Sequence, residues 1–342
     1  MRMSKRYFTI FSLFTFVFLT FFSCIKEPEV YPNTYRGNFQ SLWKIIDARY
    51  CYLDYKKIDW DSVYLAYSQR VDTVKDDRSF FDLMGDMLSV LKDGHVNLLS
   101  EFDTSRYWKW FTDYPSNFDE DLIYSNRYLN SNYRMVGGFR YRKIANNQVG
   151  YVYFGDFTSS FSDSNILSIF EEFQSCKGMI LDVRNNGGGF LSSSEQLASY
   201  FFTEKTLIGY LSHKVGAGHS DFSKPIPIYS VPNEKIKWER PIIILTNRSS
   251  YSATNDFVCR MKYAPKAVII GDITGGGGGM PLSSELPNGW MIRFSACPMY
   301  NAEMVNTEWG ILPDIRIGMN LIDKSKGYDT IIETAIDKIL KN

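Results

Sequence analysis

The chain has 342 residues, with 38 basic and 38 acidic side chains and a formal net charge of zero. That balance leaves no electrostatic footprint for nucleic acid or an anionic surface. Its five cysteines are scattered, with no Cys-x-x-Cys pair and no adjacent histidine to complete a zinc site, so no metal or cofactor is expected.

Arg2, Lys5 and Arg6 precede an apolar run, Tyr7 to Phe22, that closes on Ser23-Cys24. This is the layout of a secretory signal, and the run is short of the roughly 20 apolar residues of a membrane span. A signal ending directly at Cys resembles a bacterial lipoprotein signal, with residues 1–23 removed and Cys24 carrying the lipid. An uncleaved N-terminal anchor is the alternative. Residues 24–37, with Pro28 and Pro32, read as a tether.

Residues 38–100 read as a small helical domain. Its clearest helix runs from Asp77 to Leu91, with Phe80, Leu83, Met84, Met87, Leu88 and Leu91 on one face. Shorter helices at Phe39–Tyr50 and Trp60–Gln69 would pack against it, and Val96–Leu99 is a short strand. Residues 101–147 form a Tyr-, Asn- and Asp-rich connecting region with short strands. From residue 148 to 342, strands and helices alternate as in an α/β core. The strands are Val149–Phe154, Gly178–Val183, Pro241–Thr246 and Ala267–Gly271. The helices are Ile166–Phe173, Ser192–Phe202, Ser252–Tyr263 and a closing Asp329–Leu340. Asn288-Gly289 is a hairpin signal.

Three segments could carry chemistry. In Leu181-Asp182-Val183-Arg184-Asn185-Asn186-Gly187-Gly188-Gly189 a buried strand runs into a glycine-rich turn before a helix. It has neither the spacing of a dinucleotide fingerprint nor the Lys-Ser/Thr of a P-loop. An oxyanion hole remains as its functional use, and a tight turn needing positive φ as its structural one. Ser252 follows the strand ending at Thr246-Asn247 and precedes a helix, where the dipole favours developing negative charge. Ser249 and Ser250 are rivals, and helix capping explains such a cluster equally. Of the histidines, His213 and His219 lie in or beside a glycine-rich loop that reads as a mobile surface segment. His95 is held between a helix and a strand, as a general base must be.

Lys92-Asp93-Gly94-His95-Val96, the Leu181–Gly189 segment and Leu245-Thr246-Asn247 with Ser252 occur in that order. They resemble the signatures of the tail-specific, or C-terminal processing, peptidases and the tricorn core protease, as does Gly310-Ile311-Leu312-Pro313-Asp314-Ile315. The resemblance implies a crotonase-like ββα core. It makes Ser252 the nucleophile and the N–H groups of Gly189 and Ala253 the oxyanion hole. The processing branch uses a Ser–Lys dyad, but its lysine slot falls on Gly277, and no lysine occurs between Lys266 and Lys324. The chain therefore resembles the tricorn-like branch, with His95 as base. Glu308 is the candidate orienter of His95, with Asp93 and Asp314 as fallbacks and Thr307 in the slot if the register differs by one. Tricorn has a serine where this chain has Gly94. The 47 residues between Ser100 and Gln148 leave too little room for the PDZ domain of the processing branch.

The implied activity is a cell-envelope serine endopeptidase that cleaves extended or unfolded peptides through an acyl-enzyme and meets the membrane through the lipid on Cys24. A weakly active or inactive relative that binds peptides or a hydrophobic ligand is the alternative. The missing lysine and Gly94 keep that alternative in play.

Overall fold

The structure is a computed structural model describing residues 30–341. The signal and Cys24 lie outside the described residues. No helix among those described is long and apolar enough to cross a membrane.

Three helices open the described chain: α1 (Tyr35–Arg49), α2 (Trp60–Val71) and α3 (Asp77–Ser89). Each starts on a side-chain cap, from Thr34, Asp59 and Asp76 respectively, and Asp76 with Ser79 completes a capping box. The apolar stripe of α3 is buried as its spacing predicts, at Phe80, Leu83, Met84, Met87 and Leu88. It packs against Trp290, Ile292 and Phe294 as well as the other helices, so the bundle shares its core with strands from the far end of the chain.

Those strands form a five-stranded sheet. β1 (Asn97–Leu99) pairs antiparallel with β11 (Met291–Asn301), which also pairs with β10 (Gly279–Glu285) and with β6 (Thr206–Leu211), and β6 pairs with β7 (Ile226–Ser230). The β10–β11 hairpin turns at Asn288-Gly289, where Gly289 has φ +86°.

A second sheet of seven strands has the order β12-β9-β8-β5-β4-β3-β2. Its members are β2 (Arg134–Val136), β3 (Phe139–Ile144), β4 (Val149–Phe154), β5 (Gly178–Asp182), β8 (Ile242–Thr246), β9 (Ala267–Gly271) and β12 (Ile315–Arg316). Strands β4, β5, β8, β9 and β12 are parallel, and β4, β5 and β8 are buried throughout, as continuous apolar runs in a covered sheet should be. One face carries α6 (Asp163–Glu172), α7 (Leu191–Ser199) and α8 (Ala253–Met261), and the other α10 (Thr330–Lys341). Short helices α4 (Lys109–Thr112), α5 (Glu120–Ile123) and α9 (Leu321–Ser325) lie in the connections.

The main sheet starts before the change of character at Gln148. β3 pairs with β4 along its whole length, so part of the connecting region belongs to the core sheet. The His219 loop also differs from its sequence reading. His219 Nε2 meets Asp47 at 2.9 Å and Lys214 ties back to the loop carbonyls, which pins the segment onto α1. The four cysteines among the described residues are free and buried.

Candidate active site

The register of β5 against β8 builds the site. Asp182 is paired with Leu245, so the two parallel strands end side by side and both following turns emerge at their carboxyl ends, where open α/β sheets place ligands. Asparagines then lock the turns together. Asn247 Nδ2 donates to Asn185 Oδ1 at 2.8 Å, and its own Oδ1 accepts from the Asn185 N–H at 3.0 Å. Asn186 Oδ1 accepts from the Gly188 N–H and the Thr254 hydroxyl, while its carbonyl accepts from the Tyr251 N–H. Beneath them the fully buried Arg184 is held by Asp182 at 2.6 Å and Asp329 at 2.9 Å.

Gly188 is required here. It has φ +101°, and a Cβ would lie 2.6 Å from the Tyr251 carbonyl oxygen and 2.8 Å from Ser252 Cβ. Phe157 pairs with Gly189 in a parallel bridge through its N–H to Gly188 and its carbonyl to Phe190. The Gly189 N–H therefore faces away from Phe157, and it has no acceptor among the described residues. Nor has the Ala253 N–H, at the first turn of α8.

Ser252 precedes α8 with φ +58° and ψ −118°, a conformation that non-glycine residues adopt only under constraint. Its hydroxyl makes no capping bond to the helix. Instead Ser252 Oγ lies 2.9 Å from His95 Nε2. The rival Ser250 is fully buried and spends its hydroxyl on the Val183 carbonyl. The Ser249 backbone N–H donates to Asn247 Oδ1, and its hydroxyl makes no hydrogen bond to a histidine among the described residues. His95 itself is set by the β1–β11 pairing and by Asp93, whose Oδ1 accepts from the His95 backbone N–H at 2.8 Å. Burial pushes the imidazole down to about 4, against the pull of Asp93, so it is neutral at pH 7 and free to accept a proton.

The sequence matches the description Peptidase family S41 over residues 148–317 and Tricorn protease C1 domain over residues 31–89. The chain belongs to peptidase family S41. A carboxy-terminal-processing protease of Bartonella bacilliformis is 26% identical over 192 residues, covering 54% of this chain and 42% of that one. The chain thus spans less than half the length of this curated relative. Among solved structures, a candidate peptidase from Parabacteroides merdae is 47% identical with a TM-score of 0.86, over 90% of this chain and 98% of that one. Mature CPAF in complex with lactacystin shares the fold at 12% identity and TM-score 0.67, over 90% of this chain and 99% of that one.

The S41 site departs from its sequence reading behind the base. Glu308, expected to orient His95, does not bond the imidazole. Its Oε1 accepts from Lys56 Nζ at 2.7 Å and its Oε2 from the Gly278 N–H at 3.1 Å. The fallbacks do not reach the ring either. Asp93 holds the His95 backbone and accepts from the hydroxyls of Tyr50 and Ser295, and Asp314 pairs with Lys262 and the Ile269 N–H. Thr307, the one-residue alternative, bonds the Met299 carbonyl. His95 Nδ1 is buried without a hydrogen bond among the described residues, although the Gly279 backbone lies close enough to favour the charged ring.

Lys56 is the residue that motif reading misses. It is buried between Asp93 at 3.5 Å and Glu308 at 2.7 Å, and despite the cost of burial these two carboxylates hold its ammonium above its ordinary pKa. Burial and the Asp93 charge push the Glu308 carboxyl up to about 8, against the pull of Lys56. No spacing rule joins positions 56, 93 and 308, so only the shared core of helices and hairpin could reveal this cluster.

Gly277, expected from the sequence at the dyad lysine slot, has φ +75°, and a Cβ there would lie 2.6 Å from the Tyr251 ring. At Gly94 a Cβ would lie 2.6 Å from Trp110 Nε1 and 2.8 Å from the Tyr251 hydroxyl. Both glycines face Tyr251.

Proposed function

We propose that this S41 peptidase is a His-dependent serine endopeptidase of the cell envelope, cleaving extended or unfolded peptides through an acyl-enzyme at Ser252. The observation that carries this is the 2.9 Å contact between Ser252 Oγ and the neutral, buried His95 Nε2. His95 takes the hydroxyl proton as Oγ attacks the scissile carbonyl, then returns it to the leaving amine. The N–H groups of Gly189 and Ala253 stabilise the developing oxyanion; one such donor is worth about 10²–10³ in rate. Lys56 cannot replace His95, because its carboxylate partners keep it charged.

Glu308 acts in this reading as a positioning residue. It fixes the Gly278 backbone beside the cleft and, with Lys56, the Asp93 carboxylate that holds His95. Anchoring through a lipid on Cys24 and the absence of an inserted peptide-binding domain belong to the same proposal. The geometry of base, nucleophile and free N–H donors supports catalysis over ligand binding alone.

Ser252→Ala is expected to abolish hydrolysis of an unfolded protein such as reduced casein while leaving the thermal transition in place. Undiminished hydrolysis by that variant would refute the assignment.

A further inference from the structure

Arg293 is a half-buried guanidinium on β11, opposite Asn97 of β1, with no hydrogen bond or ion pair among the described residues. It lines both sides of the cleft. One lobe runs over α8 past Asn255 and Cys259, and the other opens past Arg106 and Trp108. His95, Gly189, Ser252 and Arg293 are the residues common to the two lobes, so this side chain stands at the neck where the scissile bond would lie.

Other buried arginines of the chain are paired. Arg184 meets Asp182 and Asp329, Arg260 meets Asp256, and Arg248 donates to the carbonyls of Trp110 and Thr274. The carboxylates around the cleft are equally committed, Asp93 to Tyr50 and Ser295, Glu308 to Lys56, and Asp256 to Ser194 and Arg260. Arg293 is left with only the distant fields of Tyr251 and Asp93, and its partial burial lowers its pKa. Withdrawing a cation from water without a partner is unfavourable, and a planar guanidinium is matched best by a carboxylate taken bidentately.

We infer that Arg293 binds a carboxylate of the peptide substrate next to the scissile bond, either an Asp or Glu side chain or the free C-terminus. The inference rests on the peptidase reading and names the substrate class of that same site. Because the guanidinium is already partly desolvated, the pairing draws on a charge-assisted hydrogen bond, which corresponds to roughly a ten- to hundredfold preference.

The test uses short extended peptides of one sequence, with a free or amidated C-terminus, and with Glu or Gln flanking the cleaved bond. Wild-type enzyme is expected to favour one carboxylate form over its neutral twin by roughly ten- to hundredfold in kcat/KM, mainly through KM. Which pair shows the preference tells the C-terminus from the side chain. Arg293→Met should level the preference, and Arg293→Lys should restore part of it. Equal cleavage of both pairs by the wild type overturns the proposal without need of any variant. So does a uniform loss across all peptides in Arg293→Met. Failure of the wild type to cleave any peptide, with Ser252 unreactive toward a fluorophosphonate, overturns the peptidase reading and this inference together.

Discussion

Trp110 lies against Tyr251 with ring centroids 4.0 Å apart and planes inclined by 25°. Tyr251 in turn meets the His95 ring at 4.9 Å. The connecting region is thereby clamped onto the nucleophile turn, with Arg248 reinforcing it through the Trp110 carbonyl. The stack fills the space that Gly94 and Gly277 leave open, which gives both glycines a physical reason.

Restoring the serine of tricorn through Gly94→Ser is expected to lower activity. Its Cβ would press on Trp110 Nε1 and the Tyr251 hydroxyl. Displacing a packed ring pair costs on the order of 1–3 kcal/mol. Thermal unfolding and kcat/KM should both fall, and unchanged values in both would show that the stack yields without cost.

Introducing a lysine through Gly277→Lys should not rescue a His95→Ala enzyme. The position has φ +75° and abuts the Tyr251 ring, so the new side chain cannot be seated without moving the nucleophile turn. Recovery of peptide hydrolysis in the double variant would contradict this account of the missing dyad.

The pH profile should have a low acid limb. His95 acts as base only when neutral, and burial lowers it from the ordinary 6.5 to about 4. The kcat/KM of the free enzyme is therefore expected to hold through mildly acidic pH and to fall as pH drops through about 4. Stability shifts with the same sign. The unfolded chain takes up this proton below about 6.5 and the folded one only near 4, so His95 costs stability as pH falls across that window. An acid limb near 6.5 would place the ring in a wetter setting than the fold provides.

Lys56→Met should be strongly destabilising. It leaves Asp93 and Glu308 buried without their ammonium, and breaking such a pair costs roughly 3–5 kcal/mol. Chemical denaturation measures the loss. Adding Glu308→Gln to Lys56→Met should change little further, because Glu308, already raised to about 8, takes up a proton once the ammonium is gone and leaves Asp93 as the stranded charge.

Much of the architecture was legible in periodicity. β4 and β9 run over the expected residues, and α3 buries the expected stripe, because a chain that must cover a parallel sheet or a bundle face writes its burial into the spacing. Ser252, His95 and Gly189 were legible through ordered motifs, and the adjacent ends of β5 and β8 explain why distant motifs share one site. The surroundings of the base were not. Lys56 behind the base, and Trp110 and Arg293 at the cleft, come from a turn after α1, the short helix α4 and a hairpin strand, and no local pattern marks long-range convergence of that kind. For the same reason the motifs set Glu308 against His95, whereas its carboxylate faces Lys56.

The central claim is that His95 activates Ser252, and the most direct measurement is the rate of Ser252 modification by an alkyl fluorophosphonate, with the adduct located by mass spectrometry. The account predicts a single adduct on Ser252, none in Ser252→Ala, and a rate lowered by about 10²–10⁴-fold in His95→Ala. Modification of Ser252 at the wild-type rate in His95→Ala, or an adduct on Ser249 or Ser250 instead, would contradict it.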